Sequence, residues 1–231
     1  MDMQEILLII PSYNEEKNIE KVVGELKEHF PQFDHVVVND GSSDRTAAIC
    51  REKDYHLLDL PVNLGLAGCF QAGMKYAYRK GYRYAIQFDG DGQHRPEYIE
   101  AIRRKMDEGY DIVIGSRFVD QPKDLSPRML GSRLLSGAIR LTTGAKIADP
   151  TSGMRMFNEE MIKEFALQLN HGPEPDTISF LIKQGARVAE VPVRIAERLA
   201  GESYLKPVVA ARYMVRMLIS ILLIQNFRKR S

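Results

Sequence analysis

Cysteine is nearly missing from this sequence: Cys50 and Cys69 are the only two in 231 residues. They match no metal-binding or redox spacing and fall in stretches of helical pattern, which excludes a disulfide scaffold and predicts buried thiols in a reducing compartment. An export signal is also lacking, because the opening MDMQEILLII carries acids where a secretory leader needs bases and its apolar run is short. Nor is there an uninterrupted membrane span. The longest charge-free stretch near the C-terminus, Met217 to Phe227, is shorter than the roughly 20 residues that cross a bilayer, and extending it back to Val208 takes in Arg212 and Arg216. Internal repeats and low-complexity segments are absent. What is present is 44% apolar residues, enough to bury a sizeable core and to exclude disorder.

The formal net charge of +1 hides an asymmetry: residues 206–231 hold six bases and no acid, which leaves −5 on the rest. A mildly acidic body with a basic tail argues against a nucleic-acid binder, whose positive charge would spread over its main surface. The tail is expected to be an interfacial helix, its apolar face in lipid and each base contributing roughly 1 kcal/mol among anionic headgroups. Docking of the same helix on the body or on a partner subunit is the alternative, and a small membrane-protein partner would supply the missing span.

Up to Ser116 the chain alternates short β-branched runs with helical patterns, as parallel-sheet domains do. Strands are expected at Ile6 to Ile10, His35 to Val38, His56 to Leu60, Tyr84 to Phe88 and Asp111 to Ile114. Between them, Ile19, Val22, Val23, Leu26 and Phe30, then Leu66, Phe70, Gly73, Met74 and Ala77, then Ile99, Ile102 and Met106 keep helical spacing. Beyond a Pro-containing loop, a helix is expected from Arg128 to Thr143, another from about Glu159 to Leu169, a short one from about Asp176, and a strand around Arg187 to Ile195. The fold class is therefore α/β, with residues 1–205 as the body and 206–231 as the tail.

Polar clusters follow successive strands: IIPSYNEEKNI, VVVNDGSSDRT and NLGLAGCFQAG, then AIQFDGDGQH. Singly each fits turn and capping chemistry, with Asp40-Gly41 as a turn and Ser43 or Asp44 as a helix cap. Together they lie at the strand ends where open α/β sheets bind ligands. Two rival motifs fail on AIQFDGDGQH: an EF-hand loop would need Gly where His94 stands, and a dinucleotide fingerprint would need Gly at Arg95.

These residues, with GSR at 115–117, DPTSGMR at 149–155 and EVPVRIAERLAGES at 190–203, resemble family 2 glycosyltransferases of the GT-A fold, over most of the chain. The later motifs look most like the polyprenyl-phosphate branch, which includes dolichol-phosphate mannose synthases and their bacterial undecaprenyl-phosphate relatives. The resemblance implies a mixed, mainly parallel Rossmann-like sheet flanked by helices. It also implies Mg²⁺ or Mn²⁺, since a hard divalent cation neutralises the charge that develops on a departing nucleoside diphosphate.

By the same resemblance, Asp91 is the principal metal ligand, Gln93 helps through its amide oxygen, and Asp89 shares the ion or holds the ribose. Pro11, Tyr13 and Glu15 belong to the base and ribose pocket, and Asp40 to the base edge; no residue separates uridine from guanosine, although a UDP-sugar is favoured. His94 is left to ordinary hydrogen bonding. An acceptor phosphate is already anionic at pH 7 and needs cations more than a general base. Arg117, together with Arg128 and Ser132 at i and i+4 on one helical face, resembles the family's acceptor-phosphate site. Arg198 resembles the arginine that closes over the diphosphate, so that Asp91, Arg117 and Arg198 carry the catalysis.

Two departures stand out. Tyr204 follows GES where a lysine is common, with Lys206 nearby. Glu174 and Asp176 occupy the place where other family 2 branches put a catalytic base, and Asp176 fits base and helix cap alike. The expected activity is inverting, metal-dependent sugar transfer from a nucleotide-sugar donor to a polyprenyl-phosphate acceptor for cell-envelope glycan synthesis, by a cytoplasmic protein peripheral on the inner membrane face. The rivals are a family 2 enzyme that extends a polysaccharide or lipid-linked oligosaccharide with Asp176 as base, and a non-catalytic nucleotide-sugar-binding subunit. A homo-oligomer is compatible with all three.

Overall fold

The computed structural model describes residues 5–124, 126–167, 172–196 and 207–225. Seven strands form one sheet: β1 (Ile6–Ser12), β2 (Asp34–Asp40), β3 (Leu57–Leu60), β4 (Tyr84–Gln87), β5 (Ile112–Ser116), β6 (Arg155–Asn158) and β7 (Val188–Pro192), in the order β3-β2-β1-β4-β6-β5-β7. All neighbours are parallel except β6, which runs antiparallel to both β4 and β5. The expected mainly parallel sheet is thus present, with one strand that hydrophobic patterning did not reveal. Because β6 is reversed, its N-terminal end meets the C-terminal ends of the other strands, and the turn before it, Asp149 to Met154, reaches the ligand edge.

The helices are α1 (Ile19–His29), α2 (Thr46–Glu52), α3 (Gly65–Lys80), α4 (Ile99–Asp107), α5 (Pro127–Thr143), α6 (Glu159–Leu167), α7 (Pro175–Lys183) and α8 (Pro207–Ile219), the last continuing into a π-helical turn at Ser220–Ile224. Their apolar stripes explain their placement. Val22, Val23 and Leu26 of α1 and Ile102 and Met106 of α4 bury against one face of the sheet, while Phe70, Met74 and Ala77 of α3 bury against the other. On that second face Phe70, Phe157 and Phe165 pack with ring centroids 5.1–5.5 Å apart, in the tilted and edge-on arrangements aromatic rings prefer. Both cysteines are buried, as expected, and burial pushes the Cys50 thiol up to about 11 and the Cys69 thiol up to about 12, so neither is a nucleophile at neutral pH.

α5 starts at Ser126, whose Oγ accepts the Met129 N–H at 3.4 Å, with Pro127 in its first turn. α8 lies against α5, and its inner residues Met217 and Ile221 share a core with Leu135 and Ile139. Its outer face leaves Val209, Val215, Ile219 and the run Leu222 to Ile224 exposed, beside the exposed Arg212 and Arg216. Among the described residues no helix is long and apolar enough to cross a membrane.

Candidate active site

A cleft of about 510 Å³ opens at the C-terminal ends of β1, β2 and β4, lined among others by Pro11, Tyr13, Glu15, Asp40, Asp89 and Asp91. The residues placed at the base and ribose by resemblance therefore face one space, together with Asp91. The neighbouring motif residues brace it. Ser43 N–H donates to Asn14 Oδ1 at 2.9 Å, Glu16 N–H to Asp44 Oδ2 at 3.0 Å, and Arg45 N–H to Glu16 Oε2 at 3.1 Å, tying the loop after β1 to the loop after β2. Asp40, buried, accepts the Leu64 N–H at 2.7 Å through Oδ1 and so fixes the end of the loop that leads into α3.

The Asp-Gly-Asp element is held just as tightly. Asp89 Oδ1 accepts from Gln87 Nε2 at 3.0 Å, while the Asp89 N–H donates to His94 Nδ1 at 2.9 Å, which leaves the imidazole proton on Nε2, 3.5 Å from Asp89 Oδ2. His94 thus positions Asp89. Asp91 Oδ1 accepts the Gln93 N–H at 3.0 Å across Gly92, whose φ of +77° suits the bend, and Gln93 Nε2 donates to the Ala196 carbonyl at 3.4 Å. Two carboxylates on one wall of this cleft fit Mg²⁺ or Mn²⁺, which commonly take one or two carboxylates and complete their shell with water and substrate phosphate. Among the described residues no group of three His, Cys, Asp or Glu side chains could hold an ion by itself.

Arg117 leaves the end of β5 and is clamped by the fully buried Asp149: Nε and Nη2 donate at 2.7 Å to the two carboxylate oxygens. Burial alone would raise the Asp149 pKa, but the paired guanidinium outweighs it and holds the carboxyl below its ordinary range. The same turn reaches the Asp-Gly-Asp element, because Gly153 packs so closely that a Cβ there would lie 2.7 Å from Asp89 Oδ2 and 3.2 Å from the His94 ring. Ser132 is buried in α5 and accepts from Lys123 Nζ at 2.8 Å. Lys123 was not singled out by sequence, where it is one base in a polar loop. Arg128 lies in the first turn of α5, its side chain outside what is described, and Arg198 lies outside the described residues, as do Tyr204 and Lys206.

The two acids before and within α7 are engaged by the C-terminal helix. Asp176 Oδ2 accepts from Ser220 Oγ at 2.6 Å and Gln225 Nε2 at 3.2 Å, and Oδ1 accepts the Thr177 N–H at 2.8 Å. Glu174 accepts the Tyr213 hydroxyl proton, and Arg216 lies 3.9 Å from its other oxygen. Neither acid lines the cleft. The fully buried Arg155 joins these parts, donating to the carbonyls of Pro150 at 2.7 Å and Pro173 at 2.5 Å; it stands in DPTSGMR but nothing in the sequence marked it as the link.

A sheet with one reversed strand, a nucleotide-sized cleft at the strand ends and an Asp-Gly-Asp wall define a GT-A-type glycosyltransferase. The model of glycosyl transferase family 2 matches residues 7–165, and the chain belongs to that family. It is 31% identical over 213 residues to the polyprenol monophosphomannose synthase of Mycolicibacterium smegmatis, covering 87% of this chain and 80% of the relative. It is also 31% identical over 215 residues to the UDP-N-acetylglucosamine–dolichyl-phosphate N-acetylglucosaminyltransferase of Methanococcus voltae, covering 82% and 84%. In fold it is similar to glucosyl-3-phosphoglycerate synthase from Mycobacterium tuberculosis, solved with Mn²⁺, UDP and phosphoglyceric acid, with a TM-score of 0.67, 20% identity, and coverage of 98% of this chain and 80% of that one.

Proposed function

We infer that this glycosyltransferase moves a sugar from a nucleoside-diphosphate donor, with a UDP-sugar favoured, onto a polyprenyl phosphate at a membrane surface. The observation that carries the acceptor class is the engagement of Glu174 and Asp176 by Tyr213, Arg216, Ser220 and Gln225. A sugar hydroxyl needs a base to take its proton, whereas a phosphate monoester attacks as an anion. Acids latched to a helix, and a separate cation at Arg117, suit the second nucleophile. Relatives named for polyprenol and dolichyl phosphates support the same acceptor.

In this reaction the donor base lies by Pro11, Tyr13 and Asp40 and the ribose by Glu15 and Asp89. Asp91, with Asp89 and Gln93, would hold Mg²⁺ or Mn²⁺, which supplies neutralising charge for the departing diphosphate. Arg117, Arg128 and Ser132 orient the acceptor phosphate so that its oxygen displaces the diphosphate in line, inverting the anomeric carbon, and Arg198 balances the diphosphate charge. The exposed apolar face of α8, with Arg212 and Arg216, fits an anionic lipid surface on the cytoplasmic side. The test is to incubate the purified protein with labelled UDP- and GDP-sugars, Mg²⁺ and undecaprenyl phosphate. Label is expected on the lipid phosphate. Label that reaches only glycan hydroxyls overturns the acceptor assignment.

A further inference from the structure

Lys123 is a cation that no carboxylate contacts among the described residues, although Asp149 and Glu190 lie close enough to act on it. Its half-buried ammonium donates to two hydroxyls, Ser132 Oγ at 2.8 Å and Ser136 Oγ at 3.2 Å, and among the described residues forms no ion pair with a carboxylate. The two acids that act on it electrostatically are already satisfied by other donors. Asp149 gives both oxygens to Arg117, and Glu190 gives its two oxygens to the N–H groups of Ala148 at 2.6 Å and Asp149 at 2.7 Å. Arg133 adds a second cation, bonded to the Lys123 carbonyl at 2.6 Å. Burial pushes the Lys123 pKa below the ordinary lysine value against the opposing pull of Asp149 and Glu190, with Arg117 and Arg133 adding to the depression. A desolvated ammonium whose direct partners are all neutral hydroxyls lacks the contacting anion that normally stabilises it.

Shape says what kind of anion fits. The Lys123 Nζ and the Arg117 guanidinium lie 5.3 and 5.1 Å from the centre of the same Phe118 ring. Phe118 and Ser136 also line an adjoining groove of about 460 Å³, with Val119, Gly137, Arg140 and Lys146. The Arg117 and Lys123 cations therefore adjoin a channel with an apolar floor, lined also by the bases Arg140 and Lys146 and by Glu190, whose carboxylate is held by backbone N–H groups. The geometry points to Lys123 as a direct ligand of the acceptor phosphate, shared with Arg117 and Ser132, with the groove taking the apolar substituent of that phosphate monoester. This rests on the acceptor class proposed above and adds a ligand from the loop before α5.

Farnesyl phosphate, a short polyprenyl phosphate, is the probe, with farnesol and inorganic phosphate as controls. Titration calorimetry should show wild type binding farnesyl phosphate, and Lys123→Met weakening it about ten- to a hundredfold, as loss of a charged hydrogen-bond donor does. Lys123→Arg should recover part of the loss, and the affinity for UDP with Mg²⁺ should stay within about twofold. On unaltered wild type, farnesyl phosphate should protect Lys123 from amine acetylation read by mass spectrometry, and farnesol should not, which keeps the test independent of variant folding. No binding by wild type, equal binding by Lys123→Met, equal loss of UDP affinity, or inorganic phosphate as effective as farnesyl phosphate each overturns the assignment. Farnesyl phosphate held through Lys123 without any sugar transfer would overturn the proposed function alone.

Discussion

The proposed donor side and the proposed acceptor side of the strand-end edge are held together differently. On the donor side, loops that leave the adjacent parallel strands β1 and β2 are cross-braced mainly by backbone N–H groups to side-chain oxygens, as in Ser43 to Asn14 and Glu16 to Asp44. On the acceptor side, a charged clamp joins Arg117 to Asp149, a lysine leans on helix hydroxyls, and acids are latched to a helix about forty residues later. Sheet register fixes the first arrangement before any ligand arrives. The second depends on ionised side chains, so substitution and pH should perturb it as structure, whereas the donor side should be perturbed first as chemistry.

The largest expected effect tests that contrast directly. Asp91→Asn should lower turnover about a thousandfold, by loss of roughly 4 kcal/mol of metal-borne charge stabilisation, while the urea midpoint hardly moves. A large drop in stability would mean that the donor wall is itself held together by charge. Asp149→Asn should do the reverse first, destabilising the fold by about 3 kcal/mol in urea because the Arg117 guanidinium loses its buried partner. The pH sign follows from the depressed Asp149 pKa. The stabilisation is present above the unfolded carboxylate range and is lost as pH falls through the folded value, so wild type should weaken on acidification through that window more than the variant.

Gly153→Ala sharpens the comparison, because the residue sits on the acceptor turn yet presses on Asp89. Donor turnover should fall about tenfold with a raised Mg²⁺ requirement, as a displacement near 1 Å at a catalytic ligand commonly costs that much or more. Unchanged metal dependence would separate the two sides. The smallest effect is Asp176→Asn: transfer to lipid phosphate should persist while the fold loses about 1 kcal/mol, the worth of the hydrogen bonds to Ser220 and Gln225. Near-complete loss of transfer would restore Asp176 as the base of a hydroxyl-directed enzyme.

How much was legible in the sequence follows the same divide. The cleft at the strand ends could be read because each polar cluster directly follows a β-branched run, and local periodicity places such a cluster at a sheet edge. β6 escaped because RMFN is four residues long and is buried at Arg155, Met156 and Phe157 alike, with no alternation to mark it. Lys123 and Arg155 escaped because what distinguishes them is partnership across the fold, with Ser132 and Ser136 for one and two proline carbonyls for the other. The outward face expected of the tail is apolar and basic, but its inner face packs on α5 and on the acids of the α7 region, an arrangement the tail's own composition does not specify.

The π-helical turn at Ser220–Ile224 changes what the tail can present. Five residues make about 1.4 turns of an α-helix, which would aim Ser220 and Gln225 in different directions. With the i to i+5 winding of a π-turn they lie together, 3.3 Å apart, and both reach Asp176. One surplus residue thus resets the helical wheel beyond Ser220, so that Leu222, Leu223 and Ile224 turn outward as a consecutive apolar ridge. Deleting a single residue there would restore ordinary winding, and in doing so it would unlatch the acid and rotate that ridge.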